Sequence, residues 1–258
     1  MERIDSPQHP VFRACAELSG GLARAREAAF GLEGVRLVRQ ALAAGLLQRA
    51  LVVEAEPDPE LLAELAAARV PTWLLAPQLV PRLLGTGYDT HLGAFGVAAR
   101  RPLAAPPAHG LVLAAESIQD PRNVGVLVRT AEAAGLAALC LSDHSADAWS
   151  RPAVRSSTGS ILRQPVHLSA DLPALLTRCR GAGFRVYAAS ARARRLVWDV
   201  DLRGDVILVV GNESEGLSPA ARAAADDLVA LPTHGGASSF NVTVAAGALV
   251  CEALRQRR

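Results

Sequence analysis

Three short stretches of the chain carry the residues able to do chemistry. The last, LPTHGGASSFNVTVAAGALVCEALRQR (Leu231–Arg257), sets Gly235, Gly236, the hydroxyls of Ser238 and Ser239 and the amide of Asn241 before Val242, Ala245, Ala246, Leu249, Val250 and Leu254 at helical spacing. A polar glycine loop that opens into a helix N-terminus is a natural cradle for a small molecule. A plain serine or glycine cap has the same appearance. A second stretch, ESIQDPRNVGVLVRTAEAAGL (Glu116–Leu136), places Asn123 and Arg129 six residues apart at a helix entrance. The third, VILVVGNESEGLS (Val206–Ser218), runs a strand into Gly211, Asn212 and Glu213, with Gly216 three residues on. Taken singly, Arg129 is a surface helix arginine, Asn123 a helix cap and Glu213 a solvated turn acid. Their occurrence together is what points to a site.

The elements that position these residues follow from hydrophobic periodicity. Up to about residue 100, Arg26–Gly45 reads as a helix, ALVVEA as a strand, PELLAELAAARV as a helix, and PTWLLA and GAFGVAAR as strands. Arg101–Gly110, with four helix and strand breakers, is the best linker. From Leu111 short apolar strands alternate with helices to the C-terminus, the pattern of a mostly parallel sheet covered on both faces. The expected organisation is residues 1–100 as one domain, 101–109 as linker and 110–258 as a second domain. No G-x-G-x-x-G follows the first strand of the second domain, and no G-x-x-x-x-G-K-[ST] loop occurs, which lowers dinucleotide and nucleoside triphosphate binding as readings.

Composition narrows the classes further. Half of the 258 residues are hydrophobic, yet no charge-free apolar run of about 18 residues and no signal-peptide pattern is present, so a soluble cytoplasmic protein without membrane contact is expected. Cys15, Cys140, Cys179 and Cys251 lack metal-ligand spacing, and acids and histidines do not cluster, so no disulfide and no metal is expected. The net charge is +2 with no lysine, but Arg151–Arg203 holds ten arginines against Asp171, Asp199 and Asp201. Arginine forks onto phosphate and stacks on bases, which suits RNA; an arginine-rich composition of the whole chain explains the run equally well.

In family order, the three stretches resemble the SpoU/TrmH family of S-adenosylmethionine-dependent RNA ribose 2′-O-methyltransferases. The resemblance implies an α/β fold: a C-terminal trefoil-knotted SPOUT methyltransferase domain with a mostly parallel sheet, plus a small N-terminal α/β/α ribosomal-protein-like RNA-binding domain. It also implies S-adenosyl-L-methionine as cofactor, a homodimer and RNA as partner. Ribosomal RNA is favoured because of the extra N-terminal module. A transfer RNA substrate, or a non-catalytic RNA-binding protein on the same scaffold, are the alternatives.

The resemblance also assigns residues. Asn123, Arg129, Glu213, Ser239 and Asn241 match the catalytic motifs. A guanidinium keeps its proton, so Arg129 is expected to grip a phosphate and stabilise oxyanion character on the 2′-oxygen rather than act as a base. Ala189, Ser190, Val210, Gly211, Asn212, Gly216, Leu217, Leu231, Pro232, Ser239, Phe240 and Asn241 are the implied cofactor contacts. Leu217, Leu231 and Pro232 would wall the adenine pocket, and Ala245, Ala246 and Leu249 would pack at a two-fold interface. Arg122, Arg155 and Ser157 are the implied RNA contacts. The sequence departs from the family pattern at His9 (usually Asn), Thr233 (usually Met) and Phe240 (usually Leu).

Overall fold

The computed structural model describes residues 1–55, 57–85, 92–236 and 238–258. They form two compact units, Met1–Arg101 with Trp149–Leu162, and Pro102–Ala148 with Arg163–Arg258. Among the described residues no helix is long and apolar enough to cross a membrane.

The first unit contains β1 (Arg3–Ile4), α1 (Pro10–Glu17), α2 (Gly21–Arg26), β2 (Ala29–Glu33), α3 (Val35–Ala43), β3 (Leu47–Val53), α4 (Pro59–Ala67), β4 (Thr72–Leu75), α5 (Val80–Leu84) and β5 (Ala94–Ala99). Its sheet order is β1-β4-β3-β5-β2, with β5 antiparallel to both neighbours. Side chains alternate across β3: Leu51 and Val53 join a core with Phe12, Cys15 and Leu83, while Ala50 and Val52 join another with Val38, Leu61 and Leu65. Helices therefore cover both faces.

The helix expected over Arg26–Gly45 is corrected, since Ala29–Glu33 is a strand and only Val35–Ala43 is helical. Gly34, at φ 92°, breaks the chain between them. At Gly31 a Cβ would stand 2.6 Å from the Phe95 ring, so the glycine lets β2 lie against β5. The helix Arg151–Ser157, α7 in chain order, belongs to this unit. Arg151 pairs with Glu33 and donates to the Leu84 carbonyl at 2.7 Å.

The second unit contains β6 (Leu111–Ala115), α6 (Pro121–Ala133), β7 (Ala138–Ser142), β8 (Val166–Ser169), α8 (Leu172–Gly181), β9 (Arg185–Ala189), β10 (Arg195–Leu196), β11 (Val206–Val210), α9 (Pro219–Ala224), β12 (Asp227–Ala230) and α10 (Val242–Gln256). Its seven strands run β10-β12-β9-β11-β6-β7-β8, and every paired neighbour is parallel. The burial of β6, β7 and β11 is unbroken, as a sheet covered on both faces requires. On one face Val112, Cys140, Val186 and Ile207 pack with Leu175, Leu176 and Ala221 of α8 and α9. Burial pushes the Cys140 thiol up to about 12, so it behaves as a core hydrophobe.

Candidate active site

Parallel pairing of β6 and β11 sets Val210 opposite Ala115, so the segments leaving these strands, 116–118 and 211–213, run side by side. Open parallel sheets bind ligands at the carboxyl ends of their strands, and all three chemistry-bearing stretches meet there. The chain after β11 folds into a tight loop closed by two backbone hydrogen bonds, Asn212 N–H to the Gly216 carbonyl and Gly216 N–H to the Asn212 carbonyl, each 3.0 Å. Inside it, Asn212 Oδ1 accepts from the N–H groups of Ser214 (2.8 Å) and Glu215 (3.0 Å). A Cβ on Gly211 would lie 2.4 Å from the Gly216 carbonyl carbon, and Gly216 has φ +70°, so both positions require glycine.

The segment after β6 grips this loop at both ends. At the start, Asn212 Nδ2 donates to the Ser117 carbonyl at 2.8 Å. At the end, the Glu116 carboxylate, only 8% exposed, accepts from Ser218 N–H and Ser218 Oγ, both at 2.8 Å. Ser218 Oγ in turn accepts from Ala221 N–H at 3.0 Å and so caps α9. Ser117 itself holds φ 55°, a left-handed conformation uncommon for serine. Its N–H donates to Ser142 Oγ at 2.8 Å, and its carbonyl accepts from Asn212 and from Gln119 Nε2 at 3.0 Å. These bonds are strong enough in number to hold the strained residue.

Asn123 and Glu213 meet across this junction. Asn123 Nδ2 donates to Glu213 Oε1 at 2.7 Å, and Gln119 N–H donates to Glu213 Oε2 at 3.3 Å. Burial alone would raise the Glu213 carboxyl. The Asn123 amide and the backbone N–H groups of Glu213, Gln119 and Asp120 outweigh it and hold the carboxyl below the usual glutamate range. Glu213 is therefore an anion at neutral pH.

The loop divides two cavities. One, of about 510 Å³, is lined on its apolar side by Val210, Leu217, Val229, Leu231, Val242, Ala245 and Leu249. Its polar lining includes Ser190, Arg192, the 211–216 loop, Arg222, Thr233, Ser238 and Ser239, with Ala189 and Phe240 beside them. An apolar slot bordered by hydroxyls and backbone polar groups at this size suits a nucleoside joined to an amino acid. The other, of about 660 Å³, is more open and is lined by Ser117, Gln119, Asp120, Asn123 and Asn212–Glu215. Glu213 borders both.

Residues 110–251 match the SpoU rRNA methylase family. Over 264 residues the chain is 31% identical to an uncharacterized tRNA/rRNA methyltransferase of Synechocystis sp., with 98% of this chain and 94% of that one covered. The chain belongs to the SpoU family. It is 36% identical over 147 residues to the 23S rRNA (guanosine-2′-O-)-methyltransferase RlmB of Xanthomonas campestris, covering 57% of this chain and 59% of that one. A crystal structure of an RNA 2′-O ribose methyltransferase superposes with a TM-score of 0.81 at 31% identity, covering 98% of both chains. The SpoU methyltransferase AviRb of Streptomyces viridochromogenes, solved in complex with S-adenosylmethionine, gives 0.85 at 28% identity, covering 96% of this chain and 98% of that one. The protein is thus an RNA methyltransferase of the SpoU/TrmH type, and S-adenosylmethionine is its methyl donor.

In this SpoU chain the structure gathers Ala189, Ser190, Val210, Gly211, Asn212, Gly216, Leu217, Leu231, Ser239 and Phe240 around the 510 Å³ cavity, with Glu213 in the same lining. Pro232 and Asn241 lie outside that lining. Asn241 Oδ1 instead accepts from Thr243 N–H (2.9 Å) and Thr243 Oγ1 (2.7 Å), which caps α10. Asn123 does not cap its helix. Asp120 is the cap, and α6 begins at Pro121, so Asn123 sits inside the first turn.

Arg129 is exposed, has no hydrogen bond or ion pair among the described residues, and borders neither cavity. Six residues of α-helix rotate it about 240° from Asn123, which carries it away from Glu213. Arg122 is exposed and pairs with Asp120 at 2.9 Å. Arg155 is exposed, 3.7 Å from Glu33. Ser157 is fully buried and donates its hydroxyl to the Val154 carbonyl at 2.8 Å, so its expected contact with RNA is corrected: no surface of it remains.

The interface expected on α10 also changes. Ala246 and Leu249 are buried within the chain, and the apolar side chains that this helix exposes are Val244, 55% exposed, with Ala248 and Cys251. Glu116, Ser117 and Ser218 were missed from sequence. The signal for Glu116 was present, a carboxylate directly after a five-residue apolar strand, but its partner lies 102 residues away.

Proposed function

We propose that this SpoU-family enzyme methylates a ribose 2′-hydroxyl in ribosomal RNA, with the cofactor held in the 510 Å³ cavity and the target ribose entering the 660 Å³ one. The observation that carries this reading is the Asn212–Gly216 loop, which walls both cavities and presents Glu213 at their junction. When bound, S-adenosylmethionine supplies an electrophilic methyl group on a sulfonium. Val210, Leu217 and Leu231 offer its base an apolar slot, while Ser190, Ser238 and Ser239 offer hydroxyls to its polar parts. The Glu213 carboxylate, ionised and restrained by Asn123, orients the Asn123 amide and adds negative potential beside a cationic ligand.

Arg129 stays outside the protomer's own cavities, and its chemistry requires contact with RNA. A homodimer in which the partner subunit's Arg129 completes each site resolves this, with the exposed faces of α6 and α10 as the joining surface. In this reading residues 1–100 bind RNA as a ribosomal-protein-like module, 101–109 link it, and 110–258, apart from the segment Trp149–Leu162 that belongs to the first unit, form the trefoil-knotted methyltransferase domain. Arg122 and Arg155 are further RNA contacts, and the cytoplasm is the compartment. The likeness to a 23S rRNA methyltransferase supports ribosomal RNA over transfer RNA.

Radiolabelled S-adenosylmethionine with in vitro transcribed ribosomal RNA, followed by mapping of 2′-O-methyl sites, tests the proposal. Methyl incorporation on a ribose is expected. Methylation of a base, or failure of the folded protein to bind S-adenosylmethionine in a calorimeter, contradicts it.

A further inference from the structure

The cofactor cavity carries arginines that the family motifs do not use. Arg192, in the turn between β9 and β10, and Arg222, on α9, both line the 510 Å³ cavity. Arg194, two residues on, is exposed, as are the other two. None of the three side chains has a hydrogen bond or ion pair among the described residues. The adjacent Arg195, by contrast, is neutralised by Asp227 at 2.6 Å. Parallel pairing sets Arg195 opposite Val229, itself a cavity residue, so this turn stands at the cavity's edge. The carboxylates facing the same lining are Glu213 and Glu215, and Asp199 lies beyond β10 with its carboxylate accepting from Leu196 N–H.

The charge does not match the ligand inside. S-adenosylmethionine bears a sulfonium and an ammonium against one carboxylate, so it is a net cation at neutral pH. Glu213 and Glu215 complement it, whereas three unneutralised guanidiniums do not. Free guanidiniums at one edge match a polyanion with regularly spaced charges, and arginine is suited to phosphate by its fork of donors. Trp198 follows two residues after β10 and is 46% exposed, a flat face of the kind on which unpaired bases stack.

We propose that Arg192, Arg194 and Arg222 form a phosphate-binding rim that carries the RNA backbone past the mouth of the cofactor cavity, with Trp198 stacking on a base of the same strand. The rim fixes the strand's path without reading its sequence, so its contribution is salt-dependent and the same for any RNA. The proposal rests on the 510 Å³ cavity being the S-adenosylmethionine site.

The test compares wild type with Arg192→Ala/Arg194→Ala/Arg222→Ala and, separately, Trp198→Ala. Fluorescence anisotropy with labelled, in vitro transcribed ribosomal RNA is measured over a salt series, and S-adenosylmethionine binding by calorimetry. Each lost phosphate contact removes about 0.7 from the log–log salt slope for single-stranded RNA, or about fourfold in affinity near 0.15 M salt. The triple variant should therefore lose a slope of about 2 and about 50-fold in RNA affinity. Its melting temperature should match that of wild type, which certifies the fold, and its S-adenosylmethionine affinity should fall far less than its RNA affinity. Trp198→Ala should weaken RNA binding by about fivefold or more with the slope unchanged.

An unchanged RNA slope in the triple variant overturns the rim. So does a loss of cofactor affinity with RNA affinity intact, which would place the arginines on the cofactor's carboxylate. Failure of wild type to bind S-adenosylmethionine would instead sink the reading of the cavity, a result separable from either.

Discussion

The two halves of the candidate active site are built in opposite ways. Around the Asn212–Gly216 loop, side-chain polar groups are consumed by one another: Glu116 with Ser218, Asn212 with the Ser117 carbonyl, Asn123 with Glu213. At the cavity's rim the side chains of Arg192 and Arg222 have no partners among the described residues, nor has that of Arg129 outside both cavities; Ser239 is exposed, and Phe240 is 46% exposed. The first half is satisfied by its own hydrogen bonds, whereas the side chains of the second are unpaired among the described residues. A group saturated by internal hydrogen bonds can set geometry, while one left unpaired is available to RNA, cofactor or a second subunit. Substitutions in the first half should therefore act through stability and shape. Those in the second should act on turnover or binding and leave the fold alone.

The sharpest contrast is Arg129→Ala. With no side-chain partner for Arg129 among the described residues, the substitution should cost the fold less than about 0.5 kcal/mol and leave S-adenosylmethionine affinity intact. Methyl transfer should fall by about a hundredfold or more, the scale of one lost electrostatic donor. Single-turnover rates on the true RNA check this, and a near-normal rate would remove Arg129 from the chemistry.

Gly211→Ala is the counterpart in the saturated half. Its new Cβ would meet backbone of Gly216 and Leu217, which a rotamer change cannot relieve, so about 1–3 kcal/mol of stability should be lost. S-adenosylmethionine affinity should drop with it, and denaturant melts beside calorimetry separate the two effects.

Glu116→Ala strands the part-buried Ser218 donors and should cost about 1–2 kcal/mol. Glu116→Gln keeps one acceptor and should recover much of this. If both variants melt like wild type, the grip on the loop contributes nothing.

Smaller still is Asn241→Ala, which removes the cap of α10 and should cost about 1 kcal/mol. Cofactor affinity should change little, since Asn241 lies outside the cavity lining. A tenfold loss of affinity at unchanged melting temperature would return Asn241 to the ligand.

The mildest effect is with pH. The folded-state carboxyl of Glu213 lies below the ordinary value of 4.5, so its stabilising contribution is complete above about pH 4.5 and is lost as pH falls through the folded-state value. The stability of wild type minus Glu213→Gln should be flat from neutral pH down to about 4.5 and shrink only below it.

Much of the second unit was legible in the sequence because its strands are fully buried. Unbroken runs such as LVLAA and VILVV, bounded by glycine and polar turns, can hardly be anything else. The first unit was harder. AFGLE at Ala29–Glu33 continues a helical periodicity into α3, and the competition was decided by Gly34 and by Phe95 packing over Gly31, contacts made across about 60 residues. In the site, glycine positions and motif order identified the cavity residues, because a loop this tight admits few sequences.

Which side chains meet is a different matter. The sequence by itself determined the family, the cofactor class, the loop that must be glycine-rich and the residue types available for chemistry. The tertiary structure decided that Asn123 faces Glu213 while Arg129 turns away, that Asn241 caps a helix, and that Ser157 is sealed in a core. It also revealed Glu116 as the residue that holds the loop, since only the parallel register of Val210 with Ala115 brings residues 116 and 218 together. The physical reason is range. Backbone conformation and periodic burial are set by neighbours within a few residues, whereas hydrogen-bond partners are chosen by strand order and register, which the whole sheet fixes at once.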